Sequence, residues 1–276
     1  MSQQTASRAS QLQQTVRSAA GRMVNRLLEP LGLELRQRAD SCHWPSVLRR
    51  ATRWGVEVAT ILDVGASDGR WTRMARRVFP RAAAVLFEAN PVHEAALARY
   101  CRRHPDSAYR LQVVGDRPGT AYFDASHAFI GVASPTRLRD DDLLLPMTSL
   151  DAARSAGDWR PPYLLKLDTH GFELPILAGA AATLPHCSLV VIEAYNFRVG
   201  AASPRFDELV AAMGKLGFRP LDLAEPVHRP RDEALWQMDL LFVPEARLPD
   251  DDDVYRGFGM RRERGRLSPG WERLTR

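Results

Sequence analysis

The stretch VATILDVGASDGRWTRMARRVF, residues 58–79, changes its period halfway along. Residues 58–64 are a near-continuous apolar run broken by one acid, the pattern of a strand buried on both faces. Residues 65–69 place two glycines around Ala66, Ser67 and Asp68, and 69–79 has helical spacing. A strand, a glycine turn and a helix in that order open a parallel α/β sheet. In such sheets ligands sit beyond the carboxyl ends of the strands.

Working outward, the alternation repeats. A helix is expected over 44–54 before the opening strand, and AAVLFE (83–88) follows as the next strand. NPVHEAALARYCRR (90–103) reads as a helix with Asn90 as its N-cap and Pro91 at its first position. YRLQVVG (109–115) and TAYFDA (120–125) are expected to be a strand and a short hairpin partner around the GDRPG turn. Residues 126–147, with Asp140, Asp141 and Asp142, read as an irregular loop over the site. LLKLDTHGFELPILAGA (164–180) passes from strand to helix, CSLVVIEA (187–194) is a strand, and 204–216 is a helix. FRPLDL (218–223) and QMDLLFV (237–243) are two more strands. The whole reads as one doubly wound, mostly parallel α/β domain over 56–247. A basic helical extension, 1–55, precedes it, with one helix over 10–28; a charged tail, 248–276, follows.

Composition sets the outer limits. The 276 residues are 45% hydrophobic and 26% charged, ordinary values for a globular chain. No apolar run approaches the ~18–20 residues of a membrane span, and the polar start MSQQTASRASQLQQ lacks a secretory h-region. Cys42, Cys101 and Cys187 are scattered and odd in number, which argues against a disulfide framework and a zinc cluster. A cytoplasmic location is therefore expected. Residues 1–55 hold nine Arg against Glu29, Glu34 and Asp40. No nucleic-acid motif accompanies them, so an arginine-covered helix surface is the preferred reading and no nucleic-acid partner is expected.

The glycine turn decides between two cofactors. A dinucleotide turn reads GxGxxG, but Ser67 takes the second glycine position and the third glycine is displaced. Asp63 and Asp68 flank the turn and would repel a pyrophosphate. S-adenosylmethionine, whose sulfonium and amino group are cationic, tolerates those acids. Gly65 and Gly69 let the backbone approach it, and Glu88 at the next strand end suits two ribose hydroxyls.

DVGASDG, FEANP (87–91), TSLD (148–151), KLDTHGFELPILAGA, VIEAYNF (191–197) and WQMDLLFV (236–243) together resemble the FkbM family of S-adenosylmethionine-dependent methyltransferases. The likeness runs from about 58 to 245. It implies a class I methyltransferase (Rossmann-like) sheet of seven strands, mostly parallel, with helices on both faces and the last strand antiparallel. Family members mostly methylate hydroxyl oxygens on glycans, glycolipids or polyketide-type products. On that reading Asp63, Gly65, Ala66, Ser67 and Gly69 wrap the methionine part, and Glu88 holds the ribose. Asn90 assists the adenosine or caps its helix. Asp116 lies at the adenine edge or belongs to its turn.

Asp168 is expected to face the transferring methyl, with His170 as general base. Lys166 and Glu173 are read as structural, Lys166 pairing with an acid such as Glu173 or Glu193. Glu193, Tyr195 and Asn196 would hold the acceptor, and Trp236 and Asp239 would close its pocket. The preferred site is metal-free; the alternative is a hard-oxygen Mg²⁺ set of Asp168, Glu193 and Asn196, as in catechol-type enzymes. Expected partners are a small-molecule or glycan acceptor, with peripheral contact to a lipid-linked acceptor and a homodimer left open. The alternatives are a nitrogen or protein acceptor, an NAD-dependent oxidoreductase and an inert nucleotide-binding module.

Overall fold

The computed structural model describes residues 42–200 and 203–248, together with Met23 and Pro30. The helix expected over 10–28, Met23 apart, and the tail from 249 lie outside the described residues. Helix α1 (Trp44–Arg53) leads into β1 (Thr60–Val64), α2 (Arg70–Ala75), β2 (Ala83–Glu88), α3 (Glu94–Arg103) and β3 (Ser107–Leu111). Four short strands come next: β4 (Val113–Val114), β5 (Gly119–Asp124), β6 (Val132–Ser134) and β7 (Leu143–Thr148). Then follow α4 (Leu150–Ser155), β8 (Tyr163–Leu167), α5 (Glu173–Ala178), β9 (Cys187–Tyr195), α6 (Phe206–Lys215), β10 (Phe218–His228) and β11 (Leu235–Pro244).

The main sheet has seven strands in the order β10-β11-β9-β8-β1-β2-β3. β1 lies parallel to β2 and β8, while β11 runs antiparallel to both β9 and β10. Alternate residues of each central strand enter opposite cores, the period of two that a sheet covered on both faces requires. Leu62, Phe87, Leu165 and Ile192 pack with α4, α5 and α6; Ile61, Leu86, Leu164 and Val191 pack with α1, α2 and α3. Because Val47, Leu48 and Ala51 of α1 are fully part of that second core, the folded unit begins before residue 56. Arg50 Nε donates to Asp222 Oδ2 at 2.7 Å and fastens α1 to β10.

The region after β3 departs from expectation. Residues 119–124 do not form a hairpin with β3. They pair antiparallel with β7 and β6 in a second sheet ordered β4-β7-β5-β6. The stretch 126–147 is therefore only partly loop: Leu143–Thr148 is a strand inside that sheet, despite Pro146. Among the described residues, no helix is long and apolar enough to cross a membrane.

Candidate active site

The carboxyl ends of β2, β1, β8 and β9, with the amino end of the antiparallel β11, open into one cavity of about 830 Å³. Glu88, Asn90 and Gln112 line one end, Gly65, Ala66 and Ser67 the middle, and Asp168, His170, Glu193, Tyr195 and Trp236 the other. The middle is built by a turn in left-handed conformations at Gly65 (φ 77°), Ser67 (φ 50°) and Gly69 (φ 76°). Glycine at 65 is required by space as well as by φ. A Cβ there would stand 1.9 Å from the carbonyl oxygen of Asp168. The amide of Asp168 in turn donates to Val64 O at 3.0 Å, so the β1 and β8 turns are pressed together through backbone.

Glu88 accepts from Ser67 N at 2.6 Å and from Asn90 N at 2.7 Å. Burial raises its pKa, and these amide bonds oppose the rise. Asn90 caps the turn that follows it. Its Oδ1 accepts from Val92 N at 3.2 Å as a helix cap, and the residue lines the cavity. Asp63 and Gly69 do not reach the cavity. Asp63 is fully buried beneath the turn, where its Oδ2 accepts from Thr72 Oγ1 at 2.5 Å. Its Oδ1 has no hydrogen-bond partner among the described residues, and Lys166 Nζ lies 3.7 Å away. Gly69 backs onto Leu86 and Tyr100 as the N-cap of α2.

At the other end Lys166 Nζ lies 2.8 Å from Asp168 Oδ2. The expected partners Glu173 and Glu193 are corrected to Asp168 and Asp63, because Asp63 stands across from Lys166 on β1 and Asp168 follows two residues on from it. Burial pushes Asp168 up, but the Lys166 ammonium more than offsets it and holds the carboxyl below its ordinary range. Glu193 moves the other way. Burial and the Asp168 charge push it up to about 9, so it carries a proton at neutral pH. Its Oε1 accepts from Gln237 Nε2 at 2.8 Å, its Oε2 meets the Tyr195 hydroxyl, and His170 Nε2 is 3.8 Å from Oε2. His170 sits at φ 55°, in a turn held by Glu173, whose Oε1 accepts from Gly171 N and Thr169 Oγ1, both at 3.0 Å. Glu173 is thus structural, as expected.

Three expected site residues fall elsewhere. Asp116 is ion-paired with Arg117 at 2.8 Å and lies outside the cavity lining, since the chain turns into the second sheet after Leu111. Gln112 stands at that strand end instead. Asn196 does not join the carboxylates; its Nδ2 donates to Leu235 O at 3.1 Å, fixing the β9–β11 edge. Asp239 is paired across the strands with Glu193 but is not in the lining, and burial pushes it up to about 7. Trp236 does line the cavity, stacked on Phe197 with ring centroids 5.9 Å apart.

Other lining residues had been given no site role: Trp44, Trp71, His93, Gln112, Phe172 and Gln237. His93 Nε2 donates to Ala128 O at 2.6 Å, and Asn90 Nδ2 to His127 O at 3.3 Å. Both tie the segment before β6, with Phe129 and Ile130, across the cofactor end. His93 was read only as part of the helix over 90–103, and the second sheet that brings Ala128 over it was not foreseen.

Parallel order with an antiparallel strand inserted near one edge, a left-handed turn after β1 and a carboxylate ending β2 define a class I methyltransferase. The residues fit S-adenosylmethionine: Glu88 offers acceptors for a diol, where a pyrophosphate would be repelled, and acids surround the place of the sulfonium. The Methyltransferase FkbM domain matches residues 63–220, and the chain belongs to this family of S-adenosylmethionine-dependent methyltransferases. Among solved structures, it is 17% identical to the FkbM methyltransferase of Methylobacillus flagellatus KT, with a TM-score of 0.43. That match covers 66% of this chain and 43% of the other, so this chain spans less than half the length of that relative. A putative tRNA (m1A22) methyltransferase of Streptococcus pneumoniae, in complex with S-adenosyl-L-methionine, is 12% identical with a TM-score of 0.42, covering 76% and 78% of the two chains. The mitomycin 7-O-methyltransferase MmcR is 16% identical with a TM-score of 0.35, covering 72% and 54%. None of the curated proteins matches.

Proposed function

We propose that the chain methylates a hydroxyl oxygen of a sugar, a glycan or a related natural product. The observation that carries this reading is the acceptor end of the cavity. Asp168, His170, Glu193 and Tyr195 bring several hydrogen-bonding groups beside the flat apolar faces of Trp236 and Phe172. A hydroxylated ring needs both kinds of surface.

S-adenosylmethionine supplies an electrophilic methyl on a sulfonium. Glu88, Asn90 and the 65–67 turn would hold the cofactor, in the same cavity that Asp168 lines. Alignment of this kind contributes up to ~7–11 kcal/mol to the barrier reduction. Asp168, kept ionised by Lys166, accepts a hydrogen bond from the acceptor hydroxyl and orients its oxygen. The hydroxyl's proton passes to the Asp168–His170–Glu193 cluster, a transfer worth roughly 10²–10⁴ in rate.

The test is incubation with methyl-labelled cofactor and a panel of activated sugars and lipid-linked glycans. A labelled methyl ether is expected. A protein that binds the cofactor yet places label on nitrogen, or on nothing in the panel, would overturn the reading. One observation favours a second acceptor class. Asp168 and Glu193 both line this end of the cavity, and two carboxyl groups side by side suit a cationic amine. Amines therefore belong in the same panel.

A further inference from the structure

We infer that Asp168, His170 and Glu193 bind one divalent transition-metal ion at the acceptor end of the cavity. The inference rests on the methyltransferase reading for the ion's use, though not for its binding. One ligand atom from each of the three residues, two carboxylate oxygens and an imidazole nitrogen, lies within 4.8 Å of the others. Ligand atoms on one ion at about 2.1 Å stand about 3–4 Å apart, so small side-chain movements close the set.

The far sides of these ligands are already held. Lys166 takes one oxygen of Asp168, Gln237 and the Tyr195 hydroxyl hold Glu193, and Glu173 fixes the turn that carries His170. Outer hydrogen bonds of this kind orient metal-ligating groups. His170 itself is a non-glycine residue in a left-handed conformation that directs its imidazole into the cavity lining.

The three ligands also face one another rather than solvent: His170 Nε2 stands 3.8 Å from Glu193 Oε2, and Asp168 is fixed beside them by Lys166 at 2.8 Å. The ligand set also differs from the hard-oxygen alternative read from sequence. Asn196 is turned to Leu235 O and a nitrogen takes its place, which favours Mn²⁺, Fe²⁺ or Zn²⁺ over Mg²⁺. An ion there would itself acidify an acceptor hydroxyl, the task that Asp168, His170 and Glu193 perform when no ion is bound.

The experiment is a titration of Mn²⁺ into the chelator-stripped full chain, followed by calorimetry and by the electron paramagnetic resonance of free Mn²⁺. S-adenosylhomocysteine binding is measured on the same samples. One Mn²⁺ per chain is expected, about 10-fold or more weaker in His170→Ala and in Glu193→Gln and unchanged in Asp116→Asn. Retained S-adenosylhomocysteine binding in the variants shows that they are folded. Wild-type protein that binds S-adenosylhomocysteine but no Mn²⁺ overturns the ion and leaves the enzyme class standing. So does Mn²⁺ uptake that neither variant weakens. Protein that takes up Mn²⁺ but no S-adenosylhomocysteine keeps the ion and removes the cofactor reading.

Discussion

Glu88 takes the amides of Ser67 and Asn90 on its two oxygens while facing the cavity, so it shapes the turn and the cavity wall at once. Glu88→Gln should weaken S-adenosylhomocysteine binding by about 1.5–3 kcal/mol, read by calorimetry. An unchanged affinity would leave Glu88 with its turn alone. This residue was legible because an acid ended a strand that the apolar run had already marked. Asp116 was misplaced because the strand ends earlier, at Leu111, which puts Gln112 at the cavity. Asp239 was drawn to the site by its strand, yet its carboxyl is held behind Glu193. Its folded pKa of about 7 lies above the ordinary 3.8, so the folded state binds a proton that the unfolded chain has lost. That contribution is complete at low pH and disappears as pH rises from about 4 through 7. Asp239→Asn, measured with chelator present, should therefore match wild type near pH 4 and exceed it by roughly 1–3 kcal/mol at pH 8 in urea melts. Equal stability at both pH values would contradict the burial argument.

Strands buried on both faces were read correctly even where their partners are distant, as β1 and β8 are; the short, half-exposed strands were not. β1, β2, β8 and β9 carry near-continuous apolar runs, and each is followed by a helix, which together specify parallel order. β5 misled because the GDRPG turn suggested a local hairpin, whereas its strand mate Leu143–Thr148 lies beyond a run of aspartates and contains a proline. The cavity wall supplied by that second sheet was invisible for the same reason. The segment between β5 and β6 is tied to the cofactor end by His93 and Asn90 and leaves Phe129 and Ile130 half exposed. Saturating S-adenosylhomocysteine should lower amide deuterium uptake over 126–133 more than over β10, and uniform protection would argue against a covering role. At the β1–β8 seam, Gly65→Ala adds both a strained φ and a collision with Asp168 O. A loss of at least about 2 kcal/mol is expected in thermal or denaturant melts. A variant as stable as wild type would mean that the two turns can part freely.

For the molecule as a whole, a ligand that binds the folded chain raises its melting temperature. At 100 times its dissociation constant, S-adenosylmethionine should add about 2.7 kcal/mol, or roughly 5–10 °C for a domain of this size. NAD at the same concentration should add nothing, and a shift with NAD alone would point back to the oxidoreductase alternative. The contact of Gly65 with the Asp168 carbonyl has an evolutionary reach. It is made by main chain on both sides, so the spacing between the β1 turn and the end of β8 does not depend on the side chains around it. Side chains of α5, β9 and β11 are then free to diverge and reshape the far end of the cavity, while the separation of the two turns is inherited unchanged.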